Sequence, residues 1–123
     1  MILVDTSIWV DHLRSGDAGL TDALDRGAVS IHPFIIGELA CGLLGNRAGL
    51  LGLLRQLPAV PTASDDEALQ FIEDHRLMGR GLGYVDVHLL AAAALSGGMP
   101  LWTRDLRLAG AAADLGFGFT PTS

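Results

Sequence analysis

The chain predicts an α/β fold in three layers, α/β/α, with a central parallel sheet of about five short strands. Two observations lead there. Short apolar runs alternate with longer amphipathic or alanine-rich segments, and the first run, Ile2 to Val4, stops at an acid followed by two hydroxyl residues, Asp5-Thr6-Ser7. Strands alternating with helices build a parallel sheet covered on both faces, and such sheets collect ligands at the carboxyl ends of their strands. With 123 residues and no repeat, low-complexity tract or linker, residues 1–123 are expected to form one domain.

Half of the residues are apolar, which excludes a disordered chain. No apolar run approaches the roughly 20 residues that span a bilayer, and Asp5 interrupts the first one, so neither a membrane partner nor a cleavable leader is expected. One cysteine, Cys41, excludes an internal disulfide and fits a reducing, cytoplasmic location. Fourteen acids face eight bases, all arginine, for a net charge of −6. Such a chain is a poor non-specific binder of polyanions. To act on one, it needs a cation in its site and a local group of arginines, whose forks pair with two phosphate oxygens at once.

In chain order, Ile2–Val4 reads as a buried strand and Ser7–Leu13 as a short helix opened by a hydroxyl cap at Thr6 or Ser7. Ser15-Gly16-Asp17 breaks it, and Leu20 and Leu24 mark a second helix ending at Gly27. Ala28–Ile31 is the next strand, with His32 at a cap position and Pro33 in the first turn of a helix reaching Leu44. The segment AGLLGLLRQL is apolar almost all round, so it is buried or lies in an interface. Pro58–Pro61 leaves room for a very short strand. Ser64 and Glu67 form a capping box before a helix carrying Leu69, Ile72, Arg76 and Leu77 at helical spacing. After Gly79, Gly81 and Gly83 comes the small-residue helix DVHLLAAAAL; then a strand at Pro100–Thr103, the helix LRLAGAAADLG and an edge strand at Phe117–Phe119.

Four carboxylates stand apart from the other acids. Asp5 ends the first strand and could cap the next helix. Glu38 has Phe34, Ile35, Cys41 and Gly42 at helical spacing and so no cation to pair with. Asp86, flanked by Leu82, Gly83, Leu89 and Leu90, also lacks a base, although a first-turn acid is favourable for dipole reasons alone. Asp105 follows a strand and opens a helix, where a cap explains it adequately. Together they occupy places that converge on one rim of a right-handed parallel sheet, and carboxylates so close stay ionised only with a cation among them. Oxygen ligands favour Mg²⁺ or Mn²⁺ over zinc. His12, His32, His75 and His88 show no metal spacing, and His88 falls on the far side of its helix from Asp86. Asp11 with Arg14 and Glu73 with Arg76 read as ordinary surface pairs, Asp65 and Asp66 belong to the capping turn, and Trp9 reads as core.

The runs ILVDTSIWVDHLR, HPFIIGELACG, GRGLGYVDVHLLAAAAL and LWTRDLRL resemble the PIN-domain ribonucleases, in particular the VapC toxins of toxin–antitoxin pairs. The likeness extends from Met1 to about Phe119 and implies a PIN-like fold. It implies an endoribonuclease dependent on Mg²⁺ or Mn²⁺ with Asp5, Glu38, Asp86 and Asp105 as the catalytic quartet; Asp5, Asp86 and Asp105 hold the metal, and Ser7 and Thr103 support it. A metal-activated water then attacks phosphorus in line, leaving 5′-phosphate and 3′-hydroxyl ends. A homodimer silenced by a VapB-like antitoxin is also implied. Arg80, Arg104 and Arg14 are the candidate RNA contacts. Two rivals are weaker. A phosphatase of the haloacid dehalogenase type wants an acid two residues after the first, where Ser7 stands, and a lysine, which is absent. A partner-binding module with little or no nuclease activity is favoured only by the apolar helix ending at Leu57.

Overall fold

A computed structural model describes residues 1–121. Its helices and strands run β1 (Ile2–Val4), α1 (Thr6–Ser15), α2 (Ala18–Asp25), β2 (Val29–Ser30), α3 (Pro33–Ala40), α4 (Arg47–Gln56), α5 (Asp65–His75), α6 (Tyr84–Leu95), β3 (Leu101–Trp102) and α7 (Leu106–Asp114). The three strands pair in parallel in the order β2-β1-β3. β1 sets Ile2 opposite Val29 on one side and Leu3 opposite Leu101 on the other. All three residues of β1 are buried, as a central strand covered on both faces requires.

About five strands were expected, and among the described residues only three form. At the other two places a single parallel bridge remains, Ile31 to Ala59 and Leu101 to Gly118. Pro58 and Pro61 flank Ala59 and offer no N–H to a ladder. Gly116 and Gly118 bracket Phe117, and a glycine adds no side chain to pack on a sheet.

The core lies around β1. Leu3, Val4, Ile8, Leu20, Ile35, Leu89, Leu90, Leu101 and Leu108 are fully buried. Helix α6 is inaccessible from Val87 through Ala93, because its alanines let neighbouring backbones approach. Trp9 is buried, as expected.

Several local expectations fail for identifiable reasons. Helix α3 stops at Ala40, short of Leu44, where the Arg47 guanidinium takes up the Ala40 and Gly42 carbonyls that further turns would use. Leu43 is left fully exposed. Helix α4 fully buries only Leu54; Leu50 and Leu51 pack half-buried against the core, and Leu53 is more than half exposed. In α5 the capping box forms as expected, but the inward residues are Ala68 and Phe71, with Leu69 facing out. Arg76 lies beyond the helix as its left-handed cap. No helix among the described residues is long and apolar enough to cross a membrane.

Candidate acidic site

Asp5 occupies the N-cap position of α1, but its side chain caps nothing. It is 8% exposed, and its Oδ2 accepts hydrogen bonds from the Ser7 hydroxyl at 2.9 Å and the Thr103 hydroxyl at 2.7 Å. Each hydroxyl has one proton, and both are given to Asp5. The 3.3 Å contact between the two hydroxyls is therefore packing and not a third bond. Each hydroxyl also accepts: Ser7 Oγ from the Arg104 amide at 3.0 Å, Thr103 Oγ1 from the Asp105 amide at 3.0 Å. The end of β1 and the turn after β3 are thus joined by a symmetrical relay centred on one carboxylate oxygen.

The other acids are anchored differently. Asp105 is a true cap, its Oδ1 accepting from the Arg107 and Leu108 amides at 2.9 and 3.1 Å. Asp86 sits in the first turn of α6, and its Oδ2 accepts from the Gly83 amide at 2.9 Å. Glu38, exposed on α3, accepts from the Thr6 hydroxyl at 2.7 Å through Oε1. A common feature emerges. Among the described residues each of the four carboxylates commits one oxygen to protein donors, and no protein donor reaches the other.

Burial is the largest influence on Asp86 and raises its pKa; the charges of Asp5, Asp105 and Glu38 raise it further, against the lowering pull of the Gly83 amide. Asp86 thus stands within Coulombic reach of each of the other three acids. The grouping is loose, however. Among the described residues no three acid, histidine or cysteine side chains stand close enough to clamp a bare ion between them.

The arginines do not follow expectation. The Arg104 guanidinium is engaged by Asp11 through Nε, and by Asp17 at 2.8 Å through Nη2. Asp11 therefore pairs across the fold, and not with Arg14 along its helix. Arg80 pairs with Asp114 at 2.8 Å. Arg14 lies toward the far end of α1, lining a groove with Val10, Leu13, Leu39 and Leu50. Glu73 and Arg76 form no ion pair among the described residues, since the left-handed turn at Arg76 takes its side chain off the helical path.

Two residues have roles that sequence reasoning passed over. Thr6 was read as a helix cap, whereas it holds Glu38. Arg107, two residues after Asp105, sends its side chain across to Gly81 in the loop before α6. Two histidines, His32 and His88, are buried. His32 Nδ1 accepts from the Phe34 amide, and burial, then the nearby His88, lowers its pKa to about 4. His88 is buried among His32, Phe34 and Tyr84.

The PIN domain family matches residues 2–114. Ribonuclease VapC32 of Mycobacterium tuberculosis is 48% identical over 116 residues, 94% of each chain. The chain belongs to the PIN-domain family, in its VapC branch. Two solved structures share the fold of this VapC-family chain. One is the M. tuberculosis toxin VapC20, described as cleaving the sarcin–ricin loop (TM-score 0.64, 22% identity, covering 99% of this chain and 100% of that one). The other is PAE2754 of Pyrobaculum aerophilum (TM-score 0.62, 20% identity, covering 89% and 83%).

Proposed function

We propose that this VapC-family chain, as a single PIN domain over residues 1–123, is a Mg²⁺- or Mn²⁺-dependent endoribonuclease. It acts as the toxin of a VapBC-type pair in the cytoplasm. The observation that carries the reading is the set of half-anchored carboxylates: each has one oxygen held by the protein and one available. Four such acids with no base paired to them are suited to hard divalent cations. Their spacing suits Mg²⁺, which keeps several waters and takes only one or two carboxylates directly.

Asp5, Asp86 and Asp105 would hold the ion, and Glu38 completes the catalytic set. When bound, the ion supplies water activation near neutral pH and neutralises charge on the phosphoryl oxygens. The chain's own groups do the rest. Ser7 and Thr103 fix the Asp5 carboxylate by two donated bonds, which pins its rotamer. The Asp105 cap fixes the second acid to the same turn. Glu38, outside the ion-holding set, would orient the attacking water and take its proton. The products are a 5′-phosphate and a 3′-hydroxyl.

A VapB-like antitoxin and a second copy of the chain complete the reading. Supporting a protein partner are the exposed Leu43 and the apolar groove of Val10, Leu13, Leu39 and Leu50. The dehalogenase-type phosphatase gains nothing, because Ser7 donates to Asp5 where that chemistry wants an acid. Incubating purified, partner-free protein with structured RNA, with and without Mn²⁺ and beside Asp5→Ala, tests the proposal. Cleavage that needs the metal and vanishes in the variant is expected. Equal cleavage by the variant refutes it, and no cleavage at all leaves a binding module.

A further inference from the structure

An acidic chain that acts on RNA needs a cationic contact beside its carboxylates, and the expected arginines are committed elsewhere. Arg104 is spent on Asp11 and Asp17, and Arg80 on Asp114. Arg14 lines a different groove. Arg107 is different. It is exposed, and among the described residues no hydrogen bond or ion pair engages its guanidinium.

Its place is defined all the same. Its own amide donates to Asp105 Oδ1, so the residue starts two positions from one acid of the quartet. Its side chain then lies against Gly81, two residues before the Gly83 amide that holds Asp86. A Cβ added at Gly81 would stand 2.8 Å from both Cδ and Nη1 of Arg107. Gly81 also has φ +76°, so glycine is favoured there twice, by its backbone and by the arginine crossing it. The side chain is seated without being neutralised.

We propose that Arg107, seated on Gly81 between the Asp86 and Asp105 turns, is the residue that grips an RNA backbone phosphate beside the scissile bond. The assignment rests on the ribonuclease reading and names its substrate contact. All five guanidinium donors remain available for a phosphate. The glycine seat narrows the conformations the side chain must give up on binding. Being a phosphate contact, it adds affinity without selecting sequence.

The test is the salt dependence of RNA binding, measured by anisotropy with a labelled single-stranded RNA in Mg²⁺, in an Asp5→Asn background that prevents cleavage. Arg107→Gln should weaken binding uniformly across RNA sequences and flatten the slope of log affinity against log salt by about 0.7, one phosphate's share for a single strand. Arg107→Lys should restore the slope. Arg55→Gln, the same charge change on the exposed face of α4, should leave it unaltered. Gly81→Asn tolerates the positive φ but evicts the arginine, and should weaken binding with all charges retained. A slope equal in Arg107→Gln and Arg55→Gln, or flattened as much by Arg104→Gln, overturns the assignment and spares the ribonuclease reading. A parent that binds no RNA overturns the assignment, and metal-dependent cleavage by the unsubstituted chain then decides the ribonuclease reading separately.

Discussion

The acidic site has two halves built on different principles. Asp5 and Asp105 come from the sheet: one ends β1, the other follows β3, and the Ser7–Thr103 relay joins them through four hydrogen bonds of 2.7 to 3.0 Å. Glu38 and Asp86 come from helices, each held by a single donor, Thr6 or the Gly83 amide. Burial does not follow this division: Asp5 is buried and Asp86 half-buried, whereas Asp105 and Glu38 are exposed. Strand ends that share a ladder have their separation set by backbone pairing, so their acids can be locked together. Helix-borne acids depend on how helices pack, and each is anchored only within its own neighbourhood. Under the proposed metal-dependent reading, the sheet half would be the rigid frame for the cation and the helix half the adjustable side.

The sharpest way to break this contrast is to remove the centre of the frame. Asp5→Asn should reduce RNA cleavage by more than about 100-fold, beyond what a residue supporting a metal ligand is usually worth; rates over a Mn²⁺ titration check it. Thr103→Val takes away one of the two hydroxyl donors and should cost about 10- to 100-fold in activity or metal affinity. Thr6→Val does the equivalent to the helix half, at an exposed pair. It should cost less than about 10-fold, and a loss matching Thr103→Val would erase the distinction.

The smallest effect is on stability. Burial and three neighbouring charges raise the Asp86 pKa, so the folded chain holds that proton more tightly than the unfolded chain. Asp86's contribution to stability is complete below its unfolded pKa and is lost as pH rises through the folded one. In metal-free protein at pH 7, Asp86→Asn should therefore melt a few degrees higher than the parent, with the gap closing toward the ordinary carboxylate pKa. Added Mn²⁺ should reverse the order, because an ion that binds only the folded state stabilises it by mass action. Thermal melts against pH and Mn²⁺ decide this. A parent that melts higher without metal would remove Asp86 from the strained side.

Much of this could be read in the chain. Ile2–Val4 before Asp5 located the central strand and its functional end, and the Ser64–Glu67 box and Pro33 located two helix starts. The isolation of Glu38 and Asp86 among apolar neighbours marked them as a set with Asp5, because an acid without a nearby base needs some other reason to stay charged. The arginines were not legible. Arg104 finds its partners on α1 and at the start of α2, and Arg80 finds Asp114 on α7, ion pairs that spacing along one helix does not reveal. Thr6 was misread for the same reason, its partner being 32 residues away.

Local order in the chain was enough to establish most of the run of elements and to single out four candidate acids, since these follow from period, capping and charge over a few residues. Only the folded arrangement assigned each acid its anchoring donor, left one oxygen of each without a protein bond, and separated the spent arginines from the one seated on Gly81. Those outcomes hang on contacts between residues tens of positions apart, and no local pattern encodes which of several candidate partners lies within 3 Å.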